Sequence, residues 1–128
     1  MDTCAIIWDA LEPGKLSAKA KKAIKKADEK KELLLCDISI WEISMLVKRK
    51  RVAVDETPAN LVKLILGSRN YTVVNISPEI ADLAVNLDDE INSDPAGSLI
   101  AATSILKRAP VVTVDKNLRE ATIVETVW

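Results

Sequence analysis

Four short apolar runs each end in, or enclose, a lone acid: Asp2, Glu42, Asp94 and Asp115. No histidine occurs anywhere in the 128 residues, so dispersed carboxylates are the most promising chemistry the chain holds. Carboxylates gathered by folding repel one another unless they are protonated or neutralised by a hard cation. The pattern therefore points to a Mg²⁺ or Mn²⁺ site, and from there to phosphate chemistry. Without histidine, Ser-His-Asp and Cys-His nucleophilic sites and HExxH zinc sites are excluded. The three glycines, Gly14, Gly67 and Gly97, stand too far apart to build a glycine-rich phosphate loop.

The elements that must position these acids alternate in type. Met1–Trp8 reads as the end of a strand turning into a short helix, and Glu12-Pro13-Gly14 as a turn. From Ser17 to about Lys30, Leu16, Ala20, Ala23, Ile24 and Ala27 share one face of a helix, with lysines on the other. Leu33–Cys36 is a continuous apolar run, suited to a strand covered on both faces. Ser39 is placed to cap a helix from Ile40 to about Lys50, with Glu42 three residues on. Helices are expected over 57–68, ending at Gly67, from Ser77-Pro78-Glu79 onward, and from Ser93-Asp94-Pro95 to about Lys107. Strands are expected over Thr72–Ile76, Val111–Val114 and Ile123–Val127. This alternation predicts one α/β domain over 1–128: a three-layer α/β/α sandwich with a mostly parallel central sheet. Ligands of such sheets collect beyond the carboxyl ends of the strands, where the four acids converge.

Composition bounds the rest. Hydrophobic residues make up 48% of the chain, enough for a core, and with no Phe that core is aliphatic. Eighteen basic against nineteen acidic residues leave a formal net charge of −1, so attraction to nucleic acid must come from a local patch. Cys4 and Cys36 lack metal-ligand spacing, and neither a signal peptide nor a bilayer-length apolar stretch is visible. A cytoplasmic protein with free thiols and no membrane contact is the expectation.

Four segments in register resemble a known family: Asp2-Thr3-Cys4-Ala5, then Ile38-Ser39-Ile40-Trp41-Glu42-Ile43, then Asp94-Pro95-Ala96-Gly97-Ser98-Leu99-Ile100-Ala101-Ala102-Thr103, then Val112-Thr113-Val114-Asp115. Together they resemble a PIN domain of the VapC type, the toxins of prokaryotic toxin–antitoxin pairs. The resemblance implies a Mg²⁺- or Mn²⁺-dependent endoribonuclease that cuts RNA, forms a homodimer and is silenced by a cognate antitoxin. It also implies that Asp2, Glu42 and Asp115 are metal-site acids supported by Thr3, Ser39 and Thr113.

Two features depart from the family pattern. The family usually carries an acid where Gly97 stands, and glycine in a first helical turn can cost about 1 kcal/mol against alanine. Three readings follow: an attenuated or inactive variant, a carboxylate supplied from one turn away by Asp94, or three acids completed by water. The second departure is that only Met1 precedes Asp2, where the family has several apolar residues. Either a longer native N-terminus or an unusually short first strand is expected, and either would loosen Asp2.

Each acid also has a plainer explanation when taken alone. Asp94 before Pro95 is an ordinary helix N-cap, Asp115 starts a turn or caps a short helix, and Glu42 answers Ser39 in a capping box. Their joint order along one predicted edge favours a shared site. Lys48-Arg49-Lys50-Arg51 complements the dipole of its helix or contacts RNA phosphates. Trp8 and Trp41 are expected to pack in a core or interface, with Trp128 untethered. The rival reading is a non-catalytic PIN-fold binding or assembly module, and a more distant one is a receiver-like phosphate-binding domain.

Overall fold

A computed structural model describes residues 1–91 and 94–128. The first strand, β1 (Leu33–Cys36), pairs in parallel with β2 (Tyr71–Val74), Leu33 opposite Tyr71 and Cys36 opposite Val74. A second parallel pair joins β3 (Val111–Val112) to β4 (Thr126–Val127). Between the pairs, among the described residues, lie Met1 and Asp2. The Met1 ammonium donates to the Leu34 carbonyl at 3.0 Å, and the Asp2 N–H donates to the Val112 carbonyl at 3.1 Å. These two residues lace the strands into one layer.

Alternation along β1 then divides the core. Leu35 packs with Ile6 and Ile7 of α1 (Thr3–Leu11), Ile43 of α3 (Ile38–Lys48) and Leu61, Val62 and Ile65 of α4 (Pro58–Ser68). Leu33, on the same side, meets Ala20 and Ile24 of α2 (Ala18–Glu29). Cys36 faces the other way, into a cluster with Ile80, Ala84 and Leu87 of α5 (Pro78–Ile91) and Ile100, Ala101 and Ala102 of α6 (Pro95–Lys107). The small residues of α6 let the sheet and α5 approach it closely. A short α7 (Lys116–Glu120) and the loop to β4 seal this side through Leu118 and Val124. The result is the expected α/β/α layering with parallel strands.

Several local expectations shift. Ser39 does not cap α3: the helix begins earlier, at Ile38, after Asp37, and Ser39 is buried inside its first turn with its hydroxyl on Thr3. The capping-box explanation of Glu42 goes with it. Helix α4 runs one residue past Gly67, which keeps a negative φ. Strands β2 and β3 stop at Val74 and Val112, short of Ile76 and Val114. Ser93 lies outside the described residues. Trp128 is tethered after all, its ring 5.8 Å from that of Trp8 at a 57° tilt. Trp41 is 59% exposed, so it is not a core residue.

Candidate active site

Three of the four acids are held by helix N-termini. Asp2 caps α1, its Oδ1 accepting from the Thr3 N–H at 2.8 Å. Asp94 caps α6 through the Gly97 N–H at 2.7 Å, and Asp115 caps α7 through the Leu118 N–H at 3.1 Å. An N-cap carboxylate satisfies an orphan donor and sits at the positive end of the helix dipole. Capping and site-building are therefore one device here: each cap fixes a carboxylate at the C-terminal edge of the strands. Asp115 reaches that edge as the cap of α7 rather than as the last residue of β3.

Hydroxyls join the acids into one chain. The Asp115 N–H donates to Thr113 Oγ1 at 3.0 Å, and Thr113 Oγ1 donates to Asp2 Oδ2 at 2.9 Å. On the other side of Asp2, Thr3 Oγ1 donates to Glu42 Oε1. With its single proton spent on Glu42, Thr3 accepts at 2.9 Å from Ser39 Oγ. Thr3, Ser39 and Thr113 are all buried. Chain positions 2, 3, 39, 42, 113 and 115 thus meet, although they come from three distant segments.

Electrostatics widen the group to include Asp94. Burial is the main reason that Asp2 and Glu42 are pushed above the ordinary carboxylate range; Asp115 adds repulsion at Asp2, and Asp94 and Asp2 add it at Glu42. Hydrogen bonds from Thr113 and Thr3 pull the other way. The Cys4 thiol registers all four acids at once. Desolvation, then the charges of Asp2, Glu42, Asp115 and Asp94, push it up to about 11. Sequence reasoning treated Cys4 only as a free thiol; its adjacency to Asp2 and Thr3 was the available signal.

Whether these residues suit a divalent ion is a question of charge and spacing. The charge fits: the positive group acting on Asp2 is the buried Met1 ammonium, and among the described residues no cation offsets Glu42. Spacing is looser. Among the described residues, no three acids or thiols close on a point that one metal ion could occupy. Mg²⁺ is commonly held by one or two carboxylates plus waters, so an outer shell of water suits this arrangement.

Lys48, Arg49, Lys50 and Arg51 lie at the opposite end of α3 from its first turns, about 9 Å or more along the axis from Glu42. They close that helix, with Arg49 as its C-cap and Lys50 in the left-handed region at φ 56°.

The family model described as "PIN domain" matches residues 1–124. The chain belongs to the PIN domain family. It is also 32% identical over 119 residues to "Ribonuclease VapC22" of Mycobacterium tuberculosis (strain ATCC 25618 / H37Rv), covering 93% of this chain and 88% of that protein. No solved structure matches it significantly. Within this PIN domain, the N-capped acids and the hydroxyl chain form the candidate site. Among the described residues, no helix is long and apolar enough to cross a membrane.

Proposed function

We propose that this chain is the endoribonuclease toxin of a toxin–antitoxin pair, hydrolysing RNA phosphodiester bonds with Mg²⁺ or Mn²⁺. The observation that carries the reading is the gathering of Asp2, Glu42, Asp94 and Asp115 around Cys4, with none of the four in an ion pair with a side-chain cation among the described residues. The likeness to a protein named as a ribonuclease supports it. Asp2, Glu42, Asp94 and Asp115 would hold the ion. Bound there, a hard cation polarises a phosphate and lowers the pKa of a water ligand.

The protein's own groups have separable tasks. Thr113 orients Asp2 toward Asp115, while Thr3, backed by Ser39, fixes Glu42 through Oε1. Glu42 would serve as one of the carboxylates that hold the ion, and the rise in its proton affinity by burial belongs to the metal-free protein. The N-termini of α1 and α6 are taken up by the Asp2 and Asp94 carboxylates, so those helix ends hold the acids in place. The basic run Lys48–Arg51 extends contact to RNA backbone farther along α3. A cognate antitoxin and a second copy of the chain are the assigned partners, for which exposed Leu64 of α4 and Val85 of α5 offer apolar surface.

Gly97 decides how strong the activity is. Its N–H holds Asp94 by Oδ1, and the Asp94 charge reaches Glu42 and Cys4. This favours Asp94 as the carboxylate that replaces the family acid. The test compares RNA cleavage in Mg²⁺ and Mn²⁺ by the chain itself, Gly97→Asp and Asp94→Asn. Gly97→Asp is expected to cleave at least about tenfold faster and Asp94→Asn more slowly than the parent. Equal rates for Gly97→Asp would remove Gly97 from the account. RNA left intact by both, with melting temperature unmoved by metal, would instead establish a non-catalytic binding module.

A further inference from the structure

Helix α2 is charged against its own stability. Lys19, Lys21, Lys22, Lys25 and Lys26 are all exposed on it, and no acid stands in its first turn. Lys19 and Lys21 therefore meet the positive end of the helix dipole, where cations are unfavourable. Lys19 and Lys22, Lys21 and Lys25, and Lys22 and Lys26 are neighbours on the helix surface, so each pair also repels.

No counter-charge within the fold relieves this. Among the described residues, none of the five lysines forms an ion pair. The acids of the helix are Asp28 and Glu29, and Asp28 is engaged by Arg69 and by the Asn70 N–H. The whole chain carries a formal net charge of −1, so the positive surplus belongs to this face and not to the protein at large.

The face also selects among anionic partners. Its apolar side is spent, because Ala20 and Ile24 are buried with Leu16 and Leu33 in the core. Among the described residues, no large hydrophobic side chain of α2 is exposed. A protein partner needs an aromatic or aliphatic anchor, and a membrane-surface helix needs a free apolar face. A phosphate backbone needs charge alone, which lysine supplies as a point charge on a flexible stem. Lys19 to Lys26 span about 10 Å along the axis, which matches about three nucleotides at a rise of about 3.4 Å each.

Placement in the fold completes the case. Leu16 and Ala20 share a buried cluster with Ala5, in the first turn of the helix that Asp2 caps. Lys15 Nζ stands 5.7 Å from the ring of Trp8 on that same helix. The head of α2 thus flanks α1.

We infer that the lysine face of α2 is an RNA-contact surface outside the acid site, gripping the phosphate backbone of the strand and positioning it for the carboxylates. That the polyanion is RNA rests on the proposed function; the grip on phosphates does not require cleavage.

The test measures binding of a labelled single-stranded RNA to the full chain in EDTA, over a series of salt concentrations. Lys22→Gln/Lys25→Gln is expected to weaken binding at least about tenfold at about 50 mM salt, and to reduce the slope of log affinity against log salt by about 1.4. Glutamine keeps the helix propensity of lysine and removes the repulsion, so the melting temperature should hold or rise. Lys22→Arg/Lys25→Arg should bind as the parent does. Lys63→Gln/Lys107→Gln makes the same change in net charge and should cost less than about threefold. With metal restored, Lys22→Gln/Lys25→Gln should raise KM for RNA and leave kcat in place.

Absence of RNA binding, equal losses in the two glutamine pairs, an unchanged salt slope or an unchanged KM would overturn the inference. Tighter binding of polyglutamate or of phosphatidylserine vesicles than of RNA would do so too. RNA held through α2 but left whole in Mg²⁺ and Mn²⁺ would keep this surface and discard the nuclease reading.

Discussion

Two groups of carboxylates in this molecule are built on opposite principles. On one flank, Arg69 is gripped by Asp9 at 2.8 and 2.9 Å and by Asp28 at 3.2 Å, while Asp28 also accepts from the Asn70 N–H at 2.7 Å. The Asn70 amide, with Arg69 behind it, holds Asp28 below the usual carboxylate range. On the other flank, Asp2 and Glu42 have hydroxyls and helix N-termini for company, and burial drives them above that range. The first group arrives with its counter-charge attached and ties α1, α2 and the start of β2 together. The second is left short of positive charge by the fold. Under the proposed function, that surplus of negative charge is what a divalent ion would neutralise.

The widest separation between the two groups is expected in activity. Asp115→Asn keeps the α7 cap through its amide oxygen, yet RNA cleavage should fall by about 10² to 10³ with little change in melting temperature. A loss of stability without a loss of rate would make Asp115 merely structural. Arg69→Met should do the reverse. Breaking a largely buried bidentate pair costs about 3 kcal/mol in denaturant unfolding, while the rate per folded molecule holds. Thr113→Val removes the hydroxyl between Asp115 and Asp2, with cleavage or metal affinity expected to drop about 10- to 100-fold.

The smallest effect is the most diagnostic. A carboxylate raised on folding contributes stability while protonated and loses it as pH climbs through its folded pKa. Asp2 and Glu42 should therefore make the metal-free protein less stable as pH rises above their ordinary values of 3.8 and 4.5. Asp28, lowered on folding, acts oppositely: its contribution is present above 3.8 and fades on acidification. Glu42→Gln, which can still accept from Thr3, should flatten the decline in melting temperature toward pH 7 and shrink the gain produced by Mg²⁺. An unchanged pH profile would remove the electrostatic contrast between the flanks.

The grouping of the candidate acids was more legible in the sequence than the contacts that support them. Asp94-Pro95, Ser77-Pro78 and the Leu33–Cys36 run carry local signals, because caps and buried strands are set by neighbours within a few positions. The order of the acids along alternating elements was enough to expect them at one edge. Ser39 misled for the same reason: its spacing to Glu42 fits a capping box, but burial gave its hydroxyl to Thr3, 36 positions away. The Asp9–Arg69–Asp28 group, joined across separations of 60 and 41 positions, leaves no local pattern. The stacking of Trp128 on Trp8 is equally silent in the chain, since an aromatic terminus looks the same whether docked or loose.

That stacking has a practical corollary. Two indoles share a tilted contact on the first helix, whose opening residue holds the acid chain, while the third, Trp41, stands in solvent on α3. The protein carries separate native fluorophores: an emitting couple that monitors the integrity of the scaffold, and a lone emitter open to quenchers in solvent.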